Sequence, residues 1–182
     1  MALNSQMVPL GTPAPDFSLP DLDDILRTKA DYAGGPGLLV VFSCNHCPYV
    51  KHIETALGEV LTEYSTLPAV AVCTNDAEAY PDDAPDKLRE QVIRAKWPIP
   101  YLIDATQEVG RAYNAACTPD FFLYGPDLTL AYRGAFDDST PGNGKPVTGE
   151  HLRNAIAHVL KGEAVPEPHY PAMGCGIKWR EG

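Results

Sequence analysis

Cys44 and Cys47 stand two residues apart in Ser43-Cys44-Asn45-His46-Cys47-Pro48, a spacing at which two sulfurs can close a small disulfide loop. Proline is favoured in the first turn of a helix, so Pro48 marks a helix that starts directly after the pair. The N–H groups and dipole of such a helix favour thiolate over thiol. Cys44 is expected to be the exposed attacking sulfur and Cys47, one turn deeper, the resolving one. His46, when protonated, would stabilise the Cys44 thiolate and make the protein more oxidising. A buried or metal-bound pair is the alternative. Structural zinc asks for four ligands, and the chain has neither a second Cys-x-x-Cys nor a His-x-x-x-His.

The other cysteines divide by context. Cys73 lies in the apolar run Val70-Ala71-Val72-Cys73 and reads as a buried sheet residue. Cys117 precedes Thr118-Pro119 and is either an accessory redox or metal group or a packed thiol. Cys175 sits between glycines in a proline-bearing tail, which lets that tail bend close to another sulfur; it is a third redox cysteine or a free surface thiol. His52, His151 and His158 fall at helical positions without an evident partner, and Asp82-Asp83 and Asp137-Asp138 read as solvated loop charges.

The pair needs elements to hold it. Leu38 to Phe42 is a continuous apolar run, the pattern of a strand buried on both faces. After the cysteines, Val50, Ile53, Leu57, Val60, Leu61 and Tyr64 recur at helical spacing. A second such unit follows, a strand over Ala69–Cys73 and a helix over Asp86–Lys96, with the acidic loop Asn75–Pro85 between them. Tyr101–Ile103 reads as a strand, Gln107–Tyr113 as a short helix, and Phe121–Tyr124 with Leu128, Leu130 and Tyr132 as a hairpin around Gly125-Pro126-Asp127. A last helix spans about Gly149–Leu160. Residues 1–15, with three prolines, are expected to be irregular, and a short strand near Phe17–Leu19 to follow them. Strands alternating with helices and closing in a hairpin imply an α/β sandwich with a mixed central sheet.

Composition narrows the partners. A chain of 182 residues with 14 basic and 24 acidic side chains carries a net charge of −10, which repels phosphate backbones and anionic lipid. Neither nucleic acid nor membrane is expected. No run approaches the ~18 apolar residues of a membrane span, and no export signal is visible near the N-terminus, so the expected location is cytoplasmic.

Three segments carry a family resemblance: Cys44-Asn45-His46-Cys47-Pro48-Tyr49-Val50-Lys51, Cys117-Thr118-Pro119-Asp120-Phe121-Phe122-Leu123 and Met173-Gly174-Cys175-Gly176-Ile177-Lys178-Trp179. With the opening Ala14-Pro15-Asp16-Phe17-Ser18-Leu19, they resemble the thioredoxin-like redoxins of the alkyl hydroperoxide reductase/thiol-specific antioxidant (AhpC/TSA) group, in its peroxiredoxin-like branch with a Cys-x-x-Cys motif. The resemblance implies a thioredoxin-like α/β fold with an N-terminal extension; the prolines and apolar side chains after Gly162 divide the chain into a domain over residues 1–162 and a tail over residues 163–182 expected to pack upon it. Thr118-Pro119 would be the cis-proline turn facing the cysteines, leaving a free backbone edge for an extended substrate near Cys44. Tyr170, Ile177 and Trp179 would anchor the tail and bring Cys175 to the active-site side.

The expected activity is thiol–disulfide exchange by Cys44 and Cys47, without any cofactor beyond the redox-active disulfide and without a metal. Partners would be a disulfide-bearing protein, a small thiol or disulfide or a peroxide, and a reductant such as thioredoxin or a low-molecular-weight thiol. A second reading is a thiol peroxidase. Against it, the peroxide-holding Pro-x-x-x-Thr-x-x-Cys pattern would need Pro and Thr where Gly37 and Val41, or Val40 and Cys44, stand. A third reading is a Cu(I)-binding module using Cys44, Cys47 and a histidine. The strand before the cysteines also lacks the buried acid of thioredoxins.

Overall fold

A computed structural model describes residues 1–182. Strands β1 (Ala2–Asn4), β2 (Ser18–Pro20), β3 (Leu26–Thr28) and β4 (Leu38–Phe42) precede helix α1 (Pro48–Glu63). Then follow β5 (Ala69–Cys73), α2 (Pro85–Ala95), β6 (Tyr101–Ile103), α3 (Glu108–Ala112), β7 (Cys117–Thr118), β8 (Asp120–Tyr124), β9 (Leu130–Gly134), α4 (Glu150–Leu160) and β10 (Met173–Gly176). The central sheet has the order β6-β5-β4-β8-β9; β4, β5 and β6 run parallel, while β8 and β9 are antiparallel to their neighbours. This is an α/β thioredoxin-like fold with a mixed sheet flanked by helices and with added terminal elements.

The unbroken apolar run of β4 has a direct cause. Leu39 and Val41 pack with Val50, Ile53 and Leu57 of α1 and Leu152 and Ile156 of α4 on one face. Leu38, Val40 and Phe42 pack with Phe17, Leu19 and Tyr113 on the other. Both faces are covered, so neither tolerates a polar alternation.

Several expectations change. Residues 2–4 are not irregular: they pair with β10, which also pairs with β7, in a second, three-stranded sheet β1-β10-β7. The acidic loop contains a 3-10 turn, Pro81–Asp83. The hairpin's second strand begins at Leu130 rather than Leu128, which adopts a φ of 57° in the turn. Within residues 163–182, Ile177 is buried and Trp179 carries the Arg111 guanidinium 4.3 Å above its ring, but Tyr170 remains exposed, so it anchors little. The lone histidines have partners: His52 meets Ser139 (3.0 Å), His151 meets Asp138 (2.7 Å) and His158 meets Glu163 (3.0 Å). Asp137 is buried, accepting from the backbone N–H groups of Ser139, Thr148 and Gly149, so it organises its loop instead of being solvated.

Candidate active site

Cys44 follows the end of β4, and Cys47 is the N-cap of α1 with Pro48 as the first helical residue. Thr118, at the end of β7, faces both: its hydroxyl lies 3.3 Å from Cys44 Sγ, and its carbonyl oxygen lies 3.3 Å from Cys47 Sγ. The Thr118–Pro119 bond is cis. The structure thus brings Cys44, Cys47, His46, Thr118 and Pro119 into one locus.

Both sulfurs of the pair are fully buried, which corrects the expectation of an exposed Cys44. The thiolate preference is also reversed. Cys47 is brought down to about 4, chiefly through its coupling to the neighbouring Cys44 sulfur, against the effect of burial. Cys44 is pushed well up by the same coupling, by burial and by the nearby Asp83 carboxylate.

Asp83, expected to be a solvated loop charge, is 1% exposed and forms the polar centre of the site. Its Oδ1 accepts from the backbone N–H of Asn45 (2.7 Å) and of His46 (3.2 Å), and its Oδ2 accepts from Asn75 Nδ2 (3.0 Å) and lies 2.6 Å from His46 Nδ1. Burial works against its ionisation, yet these bonds from His46, Asn75 and Asn45 hold its carboxyl below the ordinary range. The His46 ring stacks on Tyr80 at 5.3 Å. A positive His46 is thus largely neutralised by Asp83, which weakens its expected pull on the Cys44 thiolate. Cys44 Sγ, a His46 ring nitrogen and an Asp83 oxygen fall within 4.8 Å of one another.

A second layer was invisible in the sequence. Gln91 Nε2 donates to the carbonyl of Cys44 (2.9 Å) while its Oε1 accepts from Tyr101 (3.0 Å). Arg94 bridges Glu54 (2.7 Å) and the side-chain oxygen of Asn45 (2.8 Å), and Trp97 Nε1 donates to the carbonyl of Glu54. These groups fix the backbone of the Cys44–Cys47 turn. Helical periodicity marks Gln91 and Glu54 as ordinary polar positions, and only the meeting of α1 with α2 gives them roles.

Cys175 and Cys117 diverge. In β10, Cys175 pairs with Thr118 on one side and Ala2 on the other and is half-buried. Cys117 is fully buried, points away from Thr118 by strand alternation, and has its Sγ 3.7 Å from the Pro119 carbonyl. Burial pushes its thiol far up. Cys73, buried in β5, is likewise pushed up to about 12. The backbone edge of β7, expected to lie open for a substrate, is occupied: Cys175 and Gly176 of β10 pair with Thr118 and Cys117. A buried acid does exist, one strand over from its expected place: Asp120 in β8 stands opposite Phe42 of β4.

A mixed sheet of this order, with paired cysteines at a helix entry facing a cis-proline turn, defines the thioredoxin-like class of thiol redox proteins. Within that class the chain belongs to the AhpC/TSA family, whose model matches residues 10–133. It is similar to a hypothetical protein from Sinorhizobium meliloti 1021, at 46% identity over 98% of this chain and 99% of that one, with a TM-score of 0.96. An uncharacterized conserved protein from Geobacillus kaustophilus matches at 43% identity over 100% of this chain and 98% of that one, also at TM-score 0.96. A secreted disulfide oxidoreductase from Mycobacterium tuberculosis shares the fold, at 18% identity, TM-score 0.61, and coverage of 78% and 94%. No curated protein matches the chain. No helix is long and apolar enough to cross a membrane.

Proposed function

We propose that the protein is a thiol–disulfide oxidoreductase whose redox pair is Cys44 and Cys47. The observation that carries this reading is geometric: Cys44 and Cys47 stand together at the entry of α1, both against Thr118, whose hydroxyl lies 3.3 Å from Cys44 Sγ and whose carbonyl lies 3.3 Å from Cys47 Sγ, just before the cis bond to Pro119. Cys44 gives up its proton and attacks a sulfur of the substrate disulfide, and the first half of the substrate leaves as a thiolate that takes up that proton. Cys47 then attacks Cys44 Sγ, which closes the Cys44–Cys47 disulfide and expels the second half. The substrate is reduced by two electrons and the pair is oxidised by two.

His46, the partly exposed group beside Cys44, is the gate to this buried sulfur, and Tyr80 is the surface against which it turns. Thr118 orients both sulfurs, and Pro119 borders a cleft of about 340 Å³ also lined by Tyr49, His52, Phe136, Tyr170 and Met173, with room for part of a small disulfide. The reductant would be a dithiol protein or a low-molecular-weight thiol. We place the reaction in the cytoplasm, where such thiols are supplied. Neither a metal nor any cofactor other than the disulfide enters the cycle.

A reduction-potential titration of the pair tests the reading, with insulin-disulfide and hydroperoxide turnover measured on the same sample. The expected result is reversible two-electron chemistry lost in Cys44→Ser, with Cys47→Ser trapping a mixed disulfide. Peroxidase turnover is expected to be slow, because Gly37 and Val41, or Val40 and Cys44, stand where the peroxide-holding Pro-x-x-x-Thr-x-x-Cys pattern needs Pro and Thr. Rapid hydroperoxide reduction would favour a thiol peroxidase instead. Persistence of exchange in Cys44→Ser would sink the assignment.

A further inference from the structure

We infer that Cys175 is a third catalytic thiol, which takes the disulfide from the Cys44–Cys47 pair by bonding to Cys47; this rests on the function proposed above.

Placement comes first. Cys47 Sγ lies against the carbonyl of Thr118, and Thr118 is the register partner of Cys175 across β7 and β10. One residue thus borders both cysteines, Cys47 through its carbonyl and Cys175 through the strand pairing. Cys175 packs against the same apolar cluster that contains Cys44 and Cys47. The glycine before it allows this approach: a Cβ at Gly174 would lie 2.0 Å from the Thr118 carbonyl oxygen and 3.1 Å from Pro119 N. No other residue lets the strand run so close to the turn.

Exposure gives the arrangement its direction. Of the five cysteines, Cys175 alone is not buried. Cys44 lies beside His46 at one end of the row, and Cys175 lies at the other. A disulfide between Cys44 and Cys47 joins two buried residues and is reached only past His46, whereas one between Cys47 and Cys175 includes the one cysteine that is not buried.

The step is an ordinary exchange. The Cys175 thiolate attacks Cys47 Sγ of the Cys44–Cys47 disulfide; the Cys47–Cys175 bond forms and the Cys44–Cys47 bond breaks. Its electron pair leaves on Cys44 Sγ, which takes up the proton given by Cys175. No external oxidant or reductant is consumed. Cys44 is returned as a thiol while the oxidising equivalent waits at the surface. The strand pairing has a further meaning here: β10 holds the β7 edge where an extended substrate would add, so Cys175 occupies the place of a substrate cysteine.

The test is a disulfide map. The full-length reduced protein is equilibrated with glutathione disulfide, quenched in acid, alkylated and digested. A majority of Cys47–Cys175 linkage with Cys44 alkylated is the expected result. In Cys175→Ser the linkage should revert to Cys44–Cys47, and reduction of that disulfide by reduced glutathione should slow by about tenfold or more. A Cys44–Cys47 majority in the wild type would overturn the inference and leave the proposed function standing. If neither Cys44 nor Cys47 joined an intramolecular disulfide, the proposed function itself would fall. The wild-type map needs no variant, so the outcome does not depend on how Cys175→Ser folds.

Discussion

Asp83 Oδ2 lies 2.6 Å from His46 Nδ1, and the opposite oxygen of the same carboxylate accepts the backbone N–H groups of Asn45 and His46. One buried anion therefore holds both residues between the cysteines. The turn that carries the redox pair is pinned from the 3-10 turn Pro81–Asp83, a segment far away in the chain.

Asp83→Asn should destabilise the fold at neutral pH by about 1–3 kcal/mol, the cost of weakening charge-assisted bonds to buried donors. The Asp83 carboxyl sits below its unfolded value, so its stabilisation is complete above that value, near pH 4, and is lost as pH falls through the folded one. The stability gap between wild type and variant should shrink only in acid. Thermal unfolding of both proteins across the acid range measures it, and a gap independent of pH would refute the role.

The Cys47 thiolate should be visible directly. With Cys47 near 4 and Cys44 raised, thiolate ultraviolet absorbance of the reduced protein should persist to about pH 4 and disappear in Cys47→Ser. Cys47 thiolate also stabilises the fold, a contribution lost as pH falls through the folded value. Titration midpoints near the ordinary thiol value would mean that the neighbouring Cys44 sulfur does not act on Cys47.

Asp120 should behave in the opposite sense to Asp83. Burial pushes it up to about 7, against the N–H groups of Ala116, Cys117 and Phe121, and its Oδ1 has no partner. The folded chain binds this proton more tightly than the unfolded chain, so stability from Asp120 falls as pH rises from about 4 toward 7. Asp120→Asn does not titrate, and its stability relative to wild type should therefore climb over that window. Urea unfolding of the two proteins below and above the window gives the sign.

Gly174→Ala should cost about 1–3 kcal/mol as an overpacking change, because its Cβ would meet the Thr118 carbonyl at 2.0 Å. Relief requires β10 to move off β7, so the melting temperature and the yield of any Cys47–Cys175 linkage should fall together. A variant as stable as wild type would show that the strand is not held as closely as described.

Local pattern made part of this legible. The apolar run of β4, Pro48 opening α1 and the Cys44–Cys47 spacing each speak for themselves, because helix starts and doubly covered strands are written in adjacent residues. The Thr118–Pro119 turn came through resemblance alone. What stayed hidden was long-range: Asp83 resembles any loop acid until Asn45, Asn75 and His46 converge on it, and Gln91 is an unremarked helix residue until Cys44 presents its carbonyl. The accessible-sulfur expectation failed for the same reason. The cover over the pair is assembled from distant segments, and no periodicity announces that they meet. Likewise the free edge of β7 follows from a family likeness, while its occupation by β10 follows from glycines whose purpose is clear only beside the turn.

The β1-β10-β7 sheet also sets an order of events in biosynthesis. Cys44, Cys47 and Thr118 leave the ribosome before the strand that lies between β1 and β7 exists. Until Met173–Gly176 emerges, β1 has no partner and the edge of β7 is bare. The nascent chain thus passes through a stage in which both cysteines of the pair exist while the strand that closes the edge of β7 does not.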